Sequence, residues 1–151
     1  MQENELGQML SESAAEVLET MFFTSTVGDA DPSAAAAEPG VCANLSFRGD
    51  PSGRFGVSVP VETGRRIAAS FLGAEEAEVT EGQIGEVVSE LANMLCGSVL
   101  SRLEKETRFE LSHPEVGPTE IACQEGGQSA RRLLELDEGV MALWLHLEQA
   151  R

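Results

Sequence analysis

Two stretches of this chain, one at its start and one past its middle, carry apolar residues at the spacing of a single helix face. From about Glu3 to Phe23, Leu6, Met9, Leu10, Ala14, Val17, Leu18, Met21 and Phe22 recur at i, i+3, i+4 and i+7, with Glu5, Glu12, Glu16 and Glu19 largely on the other side. The second stretch begins at Thr80 and continues to about Lys105. Thr80 and Gln83 have capping-box spacing, in which each side chain satisfies a backbone N–H at the helix start. A shift of 74 residues lays Leu10, Ala14, Val17 and Met21 on Ile84, Val88, Leu91 and Leu95, a weak internal repeat. Two long one-sided helices need a common apolar surface to cover, and the segments between and after them supply it.

Val41, Ala43, Leu45 and Phe47 alternate with Cys42, Asn44, Ser46 and Arg48, the period of a half-buried strand. Gly49–Gly53 has turn chemistry, and Phe55, Val57 and Val59 resume the alternation until Pro60. Val61–Leu72 reads as a short helix with Gly73 at its C-cap. The small residues of Thr24–Gly40 read as a loop. Arg108–His113, Thr119–Cys123, Ser129–Glu135 and Val140–Leu147 are candidate strands, the last two joined at Asp137–Gly139. Val140–Leu147 is apolar on both faces, which predicts a central strand. The fold class expected is α+β: two long amphipathic helices on a mainly antiparallel sheet, with a weak two-fold repeat, in one domain over residues 1–151.

Charge narrows the function. Ten Lys plus Arg against 26 Asp plus Glu give a net charge of −16. That argues against nucleic acid and anionic membrane surfaces, both of which are bound through cations. The longest apolar run, Val140–Leu145, is far short of a span, and the start has no basic n-region with an apolar stretch behind it. Cys42, Cys96 and Cys123 are an odd count without CxxC spacing, and His113 and His146 have no ligand-spaced company. Neither a disulfide framework nor a metal of the protein's own is expected, and the reading is a cytoplasmic domain.

The second helix carries the residues of interest. At about 100° per residue, Glu86, Glu90, Asn93 and Gly97 fall within one narrow stripe, about 150° from the centre of the apolar set. Glutamates on a solvated face need no explanation. Asn and Gly do, since in a helix interior they cost roughly 0.5 and 1 kcal/mol relative to Ala. Something is expected to approach this face closely.

Glu90-Leu-Ala-Asn93-Met-Leu-Cys-Gly97 resembles the helix motif of the CheC/CheX/FliY family of chemotaxis phosphatases, closest to its CheX-like members. The pattern there is Asp or Ser, three residues, Glu, two residues, Asn, then a Pro some twenty-odd residues on. Glu90 and Asn93 match, and Leu111-Ser-His-Pro114 is similar to the segment with the Pro. Ala15–Met21 is similar to the family's first helix. Glu86 departs from the pattern, standing where Asp or Ser is usual. So does Glu19, which the repeat lays on Asn93: a third carboxylate beside Glu12 and Glu16 has no hydrogen to donate and repels a phosphoryl group.

The resemblance implies dephosphorylation of a phosphorylated response-regulator receiver, CheY-like, with the working face on the second helix alone. It implies that Asn93 holds the attacking water and Glu90 docks on the partner's active-site lysine. Glu86, Gly97 and Pro114 would contact the partner, and Mg2+ would belong to the receiver. The alternative is a non-catalytic module of the same fold that binds a receiver without hydrolysing it. A homodimer is left open, since family members occur as monomers and as strand-paired dimers.

Overall fold

A computed structural model describes residues 3–30, 40–103, 108–117 and 127–148. The chain runs α1 (Glu3–Met21), β1 (Thr26–Asp29), β2 (Gly40–Arg48), β3 (Gly53–Pro60), α2 (Val61–Leu72), a 3-10 turn (Glu76–Glu78), α3 (Glu81–Leu103), β4 (Glu110–Leu111), β5 (Glu115–Gly117), β6 (Gln128–Leu136) and β7 (Gly139–Leu147). The strands form one antiparallel sheet in the order β1-β6-β7-β3-β2-β4, with β5 also on β2.

The helices cover one face of it. Ala43, Leu45 and Phe47 of β2, Phe55, Val57 and Val59 of β3, and Met141, Leu143 and Leu145 of β7 share one core with Leu6, Leu10 and Leu18 of α1 and Ile84, Leu91 and Leu95 of α3. β7 is central, between β6 and β3, and both its faces are buried, as its composition predicts. The order β6-β7-β3-β2 is symmetric about its middle, and helix-then-hairpin occurs twice in the chain, so the repeat in the helix pattern is also present in the topology. The packing crosses between halves: α1 lies chiefly on β6 and α3 chiefly on β2.

Local signals hold where the chemistry is specific. Thr80 N–H donates to Gln83 Oε1 (2.9 Å) and Gln83 N–H to Thr80 Oγ1 (3.1 Å), the two halves of the capping box. Gly73 closes α2 in the left-handed region at φ 66°, its N–H on the Ala69 carbonyl.

Three expectations need correction. The stretch expected as a loop from Thr24 contains β1, a four-residue edge strand held by its pairing with β6. Of Arg108–His113 only Glu110–Leu111 is strand, and a further segment, Glu115–Gly117, also pairs with β2. Met21, expected on the buried face, is 44% exposed, because at the end of α1 the apolar layer turns toward α2 and Phe22 stacks on Phe71 at 4.6 Å. Thr119–Cys123 lies outside the described residues. Among the described residues no helix is long and apolar enough to cross a membrane.

Candidate functional site

α3 is anchored along one side by Ile84, Val87, Val88, Leu91, Leu95, Cys96, Val99 and Leu100, all buried. Helical geometry then leaves the opposite side in water, and Glu86, Glu90 and Asn93 are all exposed, with Gly97 half-buried at the far end of the same stripe. No described residue hydrogen-bonds or ion-pairs with Glu86, Glu90 or Asn93, so the Asn93 carboxamide keeps both its donors and its acceptor free of internal use among the described residues.

The glycines of the three helices differ in what holds them. A Cβ on Gly7 of α1 would lie 2.5 Å from Arg132 Nε, and one on Gly64 of α2 would lie 2.9 Å from Ile84 Cγ2; both positions are crowded. A Cβ on Gly97 would meet no atom within 4 Å. Internal packing therefore gives no reason for a glycine at 97.

Pro114 comes to the flank of this face. Ser112 N–H donates to the Ser46 carbonyl (2.8 Å) and Ser46 N–H to Ser112 Oγ (2.9 Å), which pins the Ser112–Pro114 loop onto β2. The positions of β2 paired with Val116 and Leu111, Ala43 and Phe47, are about 13 Å apart, a distance α3 covers in about nine residues. α3 starts beside Val59, through Ile84 and Val88 around Gly64, and the chain after it reaches Gly49 through Phe109, so it runs in the direction of β2. The loop thus flanks the part of α3 that carries Glu90.

The α1 stripe is arranged differently. Arg102, in the last turn of α3, forms an ion pair with Glu16, lies 3.9 Å from Glu12, and donates to Ser98 Oγ (2.8 Å) and Ser13 Oγ (3.4 Å). Glu12 and Glu16 are thereby tied into the α1–α3 contact. This clamp was not legible beforehand, because it joins residues far apart in sequence. Of the remaining candidates, Cys96 is fully buried and burial pushes its thiol up to about 12. Cys42 is buried too, its Sγ 3.1 Å from Ser58 Oγ. His113 is exposed, and buried His146 has Nδ1 2.7 Å from Ser129 Oγ. Arg132 reaches Asp29 at 3.8 Å.

The helices thus lie on one side of an open antiparallel sheet, and α3 presents Glu90 and Asn93 to solvent. The family model "Chemotaxis phosphatase CheX" matches residues 41–129, more than half of the chain, and the chain belongs to that family. A search of curated proteins finds no match. Among solved structures, CheX from Vibrio vulnificus is similar with a TM-score of 0.78 and 18% identity, covering 98% of this chain and 99% of that one. CheX from Desulfovibrio desulfuricans gives a TM-score of 0.76 at 18% identity over 95% and 99%. The CheX–CheY–BeF3–Mg2+ complex from Borrelia burgdorferi gives 0.69 at 15% over 94% and 97%.

Proposed function

We propose that this chain hydrolyses the aspartyl phosphate of a CheY-like receiver domain, with Asn93 and Glu90 as the working pair on α3. The observation that carries this reading is their placement: both are exposed on one stripe of α3, and neither is used by any described residue. The Borrelia neighbour is a complex with CheY, which supports a receiver as partner.

Hydrolysis of an acyl phosphate breaks the bond between phosphorus and the aspartyl oxygen while a water adds in line. The demands are positioning and charge stabilisation. The Asn93 carboxamide, donor and acceptor in one plane, would hold that water by its hydrogen bonds. Glu90, three residues earlier on the same stripe, would accept a charge-assisted hydrogen bond from the receiver's active-site lysine. Mg2+ would be the receiver's own, and Gly97 and Pro114 would border the contact. On α1 the Arg102 clamp engages Glu12 and Glu16, which supports a single working face. The reading places the protein in the cytoplasm with its receiver. A strand-paired homodimer would use β1 or β5 at the sheet edges.

The test is phosphate release from receivers of the same genome, charged with a small phosphodonor, in the presence of the native chain, Asn93→Ala and Glu90→Ala. Acceleration by the native chain that falls about 100-fold in Asn93→Ala, the cost of losing a positioned water, supports the reading. Binding that is retained without acceleration, and unchanged in Asn93→Ala, would make the chain a non-catalytic receiver-binding module.

A further inference from the structure

Five large apolar side chains are exposed among the described residues: Met21, Phe23, Val27, Leu72 and Val116. Met21, Phe23 and Val27 belong to the end of α1 and the β1 segment just after it, and Leu72 ends α2, whose Phe71 stacks on Phe22. Val116 stands apart. It is 49% exposed on β5, opposite Ala43, so it projects to the helix side of the sheet. There its Cγ1 lies 3.5 Å from the point where a Cβ of Gly85 would be.

Gly85, unlike Gly97, has one neighbour, Val116, yet that contact does not demand a glycine. Its Cβ would make only ordinary contact, and alanine would serve the helix better by about the cost of an interior glycine. Val116 rests beside the bare backbone at Gly85, and about half of its surface stays exposed next to α3. Glu86 and Glu90 follow on the adjoining part of the helix, and no cation shares their stripe.

We propose that Val116 and the α3 backbone at Gly85 extend the docking surface of Glu90 and Asn93, and that Val116 is a specificity-determining residue for the partner. The surface fits a receiver face that brings an apolar side chain onto Val116 with a cation beside it, opposite Glu86 and Glu90. This charge complementarity also decides how a chain of net charge −16 selects among receivers: those with an acidic or wholly polar rim are refused at this contact. The inference rests on the proposed function and adds to it a second, non-catalytic contact.

The experiment measures two quantities for the native chain, Val116→Ser, Val116→Leu, Gly85→Gln and Asn93→Ala. One is Kd for a CheY-type receiver loaded with Mg2+ and beryllofluoride, a phosphoryl analogue; the other is kcat and KM of phosphate release. Val116→Ser should weaken Kd and raise KM about five- to tenfold, the loss of one apolar contact, with kcat unchanged. Val116→Leu should restore binding. Gly85→Gln should raise Tm, since glycine is the poorer helix former, and weaken Kd, because its side chain covers the floor beside Val116. Asn93→Ala should act on kcat. Native-like Kd in both Val116→Ser and Gly85→Gln, with Asn93→Ala inactive, would overturn this inference and leave the phosphatase standing. Native-like release in Asn93→Ala would remove the reading beneath it.

Discussion

Replacing Gly97 with alanine should make this protein more stable and its docking worse. Alanine is favoured over glycine by about 0.8–1.0 kcal/mol in a helix interior. A Cβ at position 97 meets no atom within 4 Å, so no steric cost opposes that gain. At a length of 151 residues, 1 kcal/mol corresponds to a Tm increase of about 2–4 °C. Urea unfolding should show the midpoint moving up with its slope unchanged, the mark of altered stability rather than altered compactness. Gly64→Ala is the internal contrast. The same propensity gain there is opposed by Ile84 Cγ2 at 2.9 Å and Val59 Cγ2 at 3.3 Å, and overpacking of that kind costs about 1–3 kcal/mol. In the phosphate-release assay Gly97→Ala should raise KM. A variant no more stable than the native chain would refute the claim that nothing inside the protein requires this glycine. A variant that is stabilised yet fully active would refute the claim that a partner approaches closely here.

Other perturbations have equally definite outcomes. Thr80→Ala removes one half of the capping box and should cost about 1 kcal/mol in chemical denaturation. Arg102→Ala opens the clamp on Glu12 and Glu16 and should destabilise by about 1 kcal/mol, an effect that shrinks in high salt as exposed ion pairs do. Thiol alkylation at pH 8, read by peptide mass spectrometry, should leave Cys96 untouched until denaturant is added, because its thiol is buried and pushed up to about 12. Glu138 has a carboxyl raised above its usual range, first by burial; its Oε2 is buried without a partner. Folding favours its protonated form, so its contribution to stability is best in acid and is lost as pH rises through the raised value. Glu138→Gln should therefore be more stable than native at neutral pH, with the difference closing on acidification in a pH series of thermal melts.

The two long helices were legible because burial on one side only writes a period into the sequence, and the capping box and Gly73 because they are local chemistry. β7 was legible as central from its two apolar faces. β1 and β5 were not: they have four and three residues, too few to show a period, and they exist through pairing with β6 and β2. The stripe of Glu86, Glu90, Asn93 and Gly97 followed from helical geometry: the first three are exposed, and Gly97 is half-buried. Val116 and Arg102 carried no signal. One matters for lying beside Gly85 and the other for reaching α1, and both relations arise only when strands and helices assemble.

The crossed packing has a consequence for synthesis. α1 leaves the ribosome well before its principal strand partner, β6, which begins at Gln128, about a hundred residues later. The β2–β3 hairpin likewise waits for α3. The helix and the strand it covers are therefore made far apart in time, and contacts of such long range slow folding. The β6-facing apolar surface of α1 must remain uncovered, or be held by a chaperone, until β6 has been made.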